Sequence, residues 1–242
     1  MTQPTASAPA TKVSRWEDFI DVFFSPVELF RRRADGKFGV ALVFFVVMAA
    51  ALYFATRSAM APVFDAEFRR GMAAMMKANP SVTAEQLAAG KGFAQTFGGV
   101  LLLVGAPIGV FLLGLVVWLV AKLMGGVIGY TQAVTIATYS FFPRLVESLV
   151  NALQAAFLDE RSITSRLSVT LGVGRFLPPD HTNPFVAALL GRVDLFTLWV
   201  TVLIGVGIKV IAKTTAAQAA IAAVLVWLIG ALPVLFQAYR GM

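Results

Sequence analysis

The stretch that decides the fold is Gly125–Phe157, GGVIGYTQAVTIATYSFFPRLVESLVNALQAAF. It reads as a membrane span, yet it holds an arginine and a glutamate. On a helix of about 3.6 residues per turn, Ser140, Arg144, Glu147, Asn151 and Gln154 fall on one narrow stripe. Ile136, Phe141, Phe142, Leu145, Leu149 and Leu153 take the other faces. Charge near the bilayer centre is costly, so such side chains face protein or water rather than lipid. Arg144 and Glu147 stand at i, i+3, where they can pair and neutralise each other. Pro143 just before them frees a backbone carbonyl and can kink the helix, opening a pocket beside the pair. The stripe should look inward. It serves either as an ion pair that fixes helix packing or as a binding site; near a helix end its charges would instead snorkel to the interface.

Working outward, the 242 residues are 58% hydrophobic and only 14% charged, with no cysteine. Soluble domains carry about 25% charged residues, and the deficit here comes from long apolar blocks that read as spans. The absence of cysteine excludes disulfides, thiolate metal sites and a cysteine nucleophile. The net charge of +7 raises the question of nucleic acid. Most of the Lys and Arg residues instead flank apolar blocks, where they meet headgroups and set topology, and no basic run with interleaved aromatics lies elsewhere. Nucleic acid is therefore rejected as a partner.

Residues 1–13 are small, polar and proline-bearing and are expected to be disordered. They lack the pattern of a cleavable signal, which leaves the first span to act as an uncleaved insertion signal. Residues 14–37 form an amphipathic interfacial segment. Ser14 with Glu17, then Ser25 with Pro26 and Glu28, mark two helix starts. Trp16, Phe23 and neighbouring aromatics face one way, and Arg31, Arg32 and Arg33 close the segment as interface anchors. The alternative is a helix packed on the end of the bundle.

Residues 38–238 are expected to be a five-span membrane domain, with spans near 38–57, 98–121, 131–157, 194–213 and 216–237. Between the first two, Phe64, Phe68, Met72, Met75 and Met76 form a stripe opposite Arg69, Arg70 and Lys77. Pro80 ends that helix, and Thr83 with Gln86 starts another, making a helical hairpin outside the bilayer. A methionine stripe is packing rather than a metal site. Gly105 and Gly109 form a GxxxG around Pro107, so close helix contact and a kink are both open. Asp194 stands where a carboxylate complements a helix dipole, and the alanines of the last span offer a smooth packing face.

Gly125, Gly126 and Gly129 follow no strand, so they are not a phosphate loop. His181, beside Asp180, lacks the further ligands that a metal site needs. No cofactor, metal or catalytic set is expected. For orientation, an N-terminus inside places nine Lys/Arg in the cytoplasm and ten opposite, with Arg144 completing the total of 20. The triple arginine before the first span and two short lysine-bearing connections tip the balance to N-terminus inside, C-terminus outside.

FFSPVELFRR at residues 23–32, GGVIGYTQAVTIATYSFFP at 125–143 and VDLFTLW at 193–199 occur in an order that resembles the Yip family. That family is named for Ypt/Rab-interacting proteins, and the likeness is to members found in bacterial membranes. It covers roughly residues 20–237. The resemblance implies an all-α, five-helix membrane protein of the cytoplasmic (inner) membrane with its N-terminal region in the cytoplasm. Eukaryotic relatives bind Rab-type GTPases and act in vesicle traffic and membrane shaping. A bacterial member would lack that partner class, so fold transfers further than function.

The leading functional expectation is a non-enzymatic module for membrane organisation or protein interaction. Its partners would be the bilayer, a membrane or cytoplasmic protein, or a second copy. The alternative is a small-solute or ion transporter using the polar stripe. Against it, the halves show no internal repeat.

Overall fold

A computed structural model describes residues 16–240, apart from 80, 82, 179 and 180. The expected disordered tail, the first helix cap at Ser14 and the helix breaker Pro80 lie outside the described residues. Among them the chain is helical throughout, with one isolated bridge between Gly172 and Asp194. The order is α1 (Glu17–Phe24), α2 (Pro26–Arg32), α3 (Gly39–Thr56), α4 (Ala61–Ala78), α5 (Ala84–Leu123) and α6 (Tyr130–Ser140). There follow α7 (Phe142–Phe157), α8 (Pro184–Leu190), α9 (Leu195–Ile211), α10 (Ala216–Ile229) and α11 (Leu232–Arg240).

Three stretches are long and apolar enough to cross a membrane: Gly39–Thr56, Thr96–Leu123 and Ala216–Tyr239. The helix α9 is apolar but has only 17 residues. The remaining expected span, 131–157, is divided into α6 and α7 at Phe141. There the Arg144 N–H bonds the Phe141 carbonyl rather than one four residues back. Pro143 sits in the first turn of α7, where its missing N–H leaves no bond broken.

Thr83 and Gln86 make the expected capping box, each side chain accepting from the other's backbone N–H. The helix they start continues as α5 for 40 residues, with Pro107 inside it, so part of the segment expected outside the bilayer and the apolar stretch Thr96–Leu123 share one rod.

The centre of the bundle is α6. Every residue from Ala133 to Ser140 is buried, and α5, α9 and α3 surround it. In a helix buried all round, hydroxyls find partners only inside the protein. Thr135 and Thr138 do so by donating to the Thr131 and Val134 carbonyls four residues back. Close approach depends on two glycines. A Cβ on Gly114 of α5 would stand 2.7 Å from Val134 Cγ2 and 3.0 Å from its Cα, and one on Gly207 of α9 would stand 2.7 Å from Ile136. The GxxxG pair behaves differently: among the described residues, a Cβ on Gly105 or Gly109 would meet nothing within 4 Å, so no described helix packs there.

These distances give a first prediction. Gly114→Ala should cost about 1–3 kcal/mol, because the α6 backbone must move to admit the methyl. Gly105→Ala should cost nothing and can gain up to about 1 kcal/mol in helix propensity. Thermal melts of both variants in detergent check the contrast, and a Gly114→Ala protein as stable as the parent would disprove tight α5–α6 contact.

Candidate functional site

The stripe of α7 carries a network that reaches α9. Arg144 Nη1 donates to Glu147 Oε2 at 2.5 Å, and Nη2 donates to Thr197 Oγ1 at 2.9 Å. The Thr197 hydroxyl in turn donates to Asp194 Oδ2. The other oxygen of Asp194 accepts the N–H groups of Phe196 and Thr197, both at 2.9 Å, which makes Asp194 the N-cap of α9. One arginine thus faces two carboxylates, one directly and one through a hydroxyl.

The rest of the expected stripe divides. Gln154 ties α7 to the connection before α8, donating to the Val169 carbonyl at 2.7 Å and accepting from Arg175 at 3.1 Å. Asn151 makes no hydrogen bond to another described residue, and its Oδ1 is sealed from solvent. Ser140 requires a correction: the break at Phe141 places it on α6, where its hydroxyl is buried and unpaired. A stripe running from Ser140 to Gln154 requires one continuous helix, and the break between α6 and α7 removes that continuity.

Two cavities meet on α7. One of about 780 Å³ lies between α3, α4, α5 and α7, with mainly apolar walls that include Phe45, Val63, Phe64, Leu102 and Leu145. The other, of about 440 Å³, lies between α4, α7, α8, α9, α11 and the turn at Arg166–Val169, and carries charged groups among its apolar walls. Met60, Glu67, Arg144 and Asn151 line both.

A second charged cluster joins the N-terminal helices to the bundle. Asp18, 1% exposed, accepts from Arg32 at 2.9 Å and from Arg33. The Tyr139 hydroxyl at the end of α6 points at the same carboxylate, 3.4 Å away. Asp21 accepts from Arg32 at 2.5 Å. Burial works against the charge of Arg33, but its hydrogen bond and attraction to Asp18 hold the guanidinium above its ordinary value. Of the residues expected to anchor at the interface, Arg31 pairs with Glu28 on the exposed side. Phe23 sits edge-on to Trp199, and Trp16 remains 69% exposed.

The family model for the Yip1 domain matches residues 20–237. The chain belongs to that family. No curated protein and no solved structure matches it. Membership and the three apolar helices make it an integral membrane protein, in a family of membrane proteins not known as enzymes. In this Yip1-domain chain, His181 lies in an exposed turn, and Asp180 lies outside the described residues.

Sequence reasoning missed several members of the Yip1-domain chain's two networks. Asp18 and Asp21 did carry a signal, since they interrupt an aromatic segment at i, i+3 spacing and stand upstream of three arginines. Tyr139 and Thr197 carried none, because either is an ordinary residue of an apolar helix until its partner is known.

Proposed function

We propose that the protein is a non-enzymatic membrane-organising and protein-interaction module. It would cross the cytoplasmic membrane of a bacterium five times: α3, α5, the α6–α7 pair, α9 and the α10–α11 pair. Its N-terminus lies in the cytoplasm and its C-terminus opposite. The observation that carries this reading is the exposed face of α1. Trp16, Ile20 and Phe24 are 69%, 60% and 81% exposed on one side. Val22 of α1 and Leu29 and Phe30 of α2 are fully buried on the other. An apolar face held rigidly by ion pairs suits a contact surface, because little freedom is lost when a partner docks. The transporter reading is weaker. The two halves of the sequence show no internal repeat of the kind that builds such routes, and Arg144 ties α7 to α9 through Thr197.

A photoreactive residue at Phe24, with Val202 as an exposed apolar control on α9, tests the module in native membranes. Phe24 should give a discrete protein adduct, at twice the chain mass if the partner is a second copy, and Val202 only lipid. Lipid adducts alone at Phe24 would remove the content of this proposal.

A further inference from the structure

The two cavities on α7 together have the form of an amphiphile site. The larger is walled by the Thr56 half of α3, the start of α4 and Leu102 near the matching end of the α5 span, so it lies beside the end turns of two apolar stretches. The smaller lies against the connection between α7 and α9, at the Asp194 start of α9. Both volumes are within the range of about 300–1,000 Å³ typical of small-molecule sites.

The charges of the smaller chamber are unevenly used. Its three carboxylates are engaged: Glu147 by Arg144, Asp194 by its own helix start and Thr197, and Glu67 by the backbone N–H of Arg166 at 2.7 Å. Three of its four arginines, Arg144, Arg166 and Arg192, keep donors in reserve, since a guanidinium offers five N–H groups. Arg144 uses two nitrogens. Arg192 donates only to the Trp227 carbonyl, its Nε being buried without a partner. The guanidinium of Arg166 is exposed and meets no acceptor among the described residues. Burial pushes the Arg192 charge below its ordinary value, and nearby Arg144 pushes the same way against Asp194. An anion in the chamber would relieve both arginines. At the seam stands Asn151, whose Oδ1 also lacks a partner among the described residues.

We propose that these cavities bind one anionic phospholipid, its phosphate headgroup among Arg144, Arg166 and Arg192 and an acyl chain in the slot beside Phe45 and Leu145. Asn151 would meet the glycerol region between the two. Free phosphate shares the headgroup chemistry but has nothing to place in the slot.

The test uses the full chain in neutral detergent, titrated with phosphatidylglycerol or with phosphatidylcholine of the same chains, and read by native mass spectrometry. Phosphatidylglycerol should bind one to a chain and about tenfold more tightly than phosphatidylcholine, which has the same phosphate but adds a choline cation that the arginines repel. Arg166→Gln, an exposed change that leaves the fold alone, should reduce that affinity by about the same factor. Ala49→Phe, which fills the slot, should weaken phosphatidylglycerol without affecting competition by inorganic phosphate. Equal binding of the two lipids, or indifference to Arg166→Gln, overturns the proposal even if Ala49→Phe fails to fold. Displacement of phosphatidylglycerol by inorganic phosphate, with Ala49→Phe neutral, would show a free-anion site and overturn the lipid assignment.

Discussion

Arg144→Leu is expected to destabilise the protein by about 1–3 kcal/mol, below the range for removing one member of a fully buried ion pair because the Arg144 side chain is 32% exposed. The cause is what it leaves behind. The side chain of Glu147 is 16% exposed and would have no counter-charge, and Asp194 would lose the cation that reaches it through Thr197. Thermal melts in detergent, followed by tryptophan fluorescence, would read the loss. The double variant Arg144→Leu/Glu147→Leu should recover most of it, because apolar replacement of a whole buried pair is often neutral or stabilising. Recovery would place the demand for charge on Glu147. A double variant as unstable as the single would place it on Asp194 and the start of α9. An Arg144→Leu protein that melts with the parent would refute the network as a structural tie between α7 and α9.

That contrast between Glu147 and Asp194 also marks how far the sequence could be read. Features that rest on neighbouring residues were legible: the Thr83–Gln86 capping box, the dipole role of Asp194 and the i, i+3 pair of Arg144 with Glu147. Each depends on helical spacing alone, and helical spacing is written in the chain. Pro143 announced a disturbance at the right place, but a kink and a new helix start share the same signal. Ser140 was assigned to the stripe for that reason. The length of α5 was hidden differently, since nothing at Thr96 separates a membrane helix from the amphipathic turns before it. Contacts between distant segments left no trace. Thr197 lies 53 residues from Arg144, and Tyr139 lies 121 from Asp18. Their side chains are polar enough to serve and ordinary enough to overlook.

The Asp18 cluster gives the second large effect. Asp18→Asn keeps the shape of the side chain and removes its charge, so Arg32 and Arg33 would face a neutral amide in a site where the carboxylate is 1% exposed. A loss of about 3–5 kcal/mol is expected, again from the stranded partners. It should be local. Hydrogen exchange across residues 17–33 should rise toward that of a mobile loop, while α6 and α9 keep their protection. Asp21→Asn is the comparison, because Asp21 is 24% exposed at the side chain and holds only Arg32. With one partner and partial solvent, its loss should be nearer 1 kcal/mol. Equal exchange in the two variants would mean that the buried carboxylate does not dock the N-terminal helices. The distinction bears directly on the contact face. Trp16, Ile20 and Phe24 are presented together only because the opposite side of the segment is fixed by Val22, Leu29, Phe30 and the Asp18 pairs. If α1 detaches in Asp18→Asn, the protein adduct expected at Phe24 should disappear while the chain remains inserted. Persistence of that adduct in a detached segment would mean that the partner reads the aromatic sequence itself and not the surface on which the fold displays it.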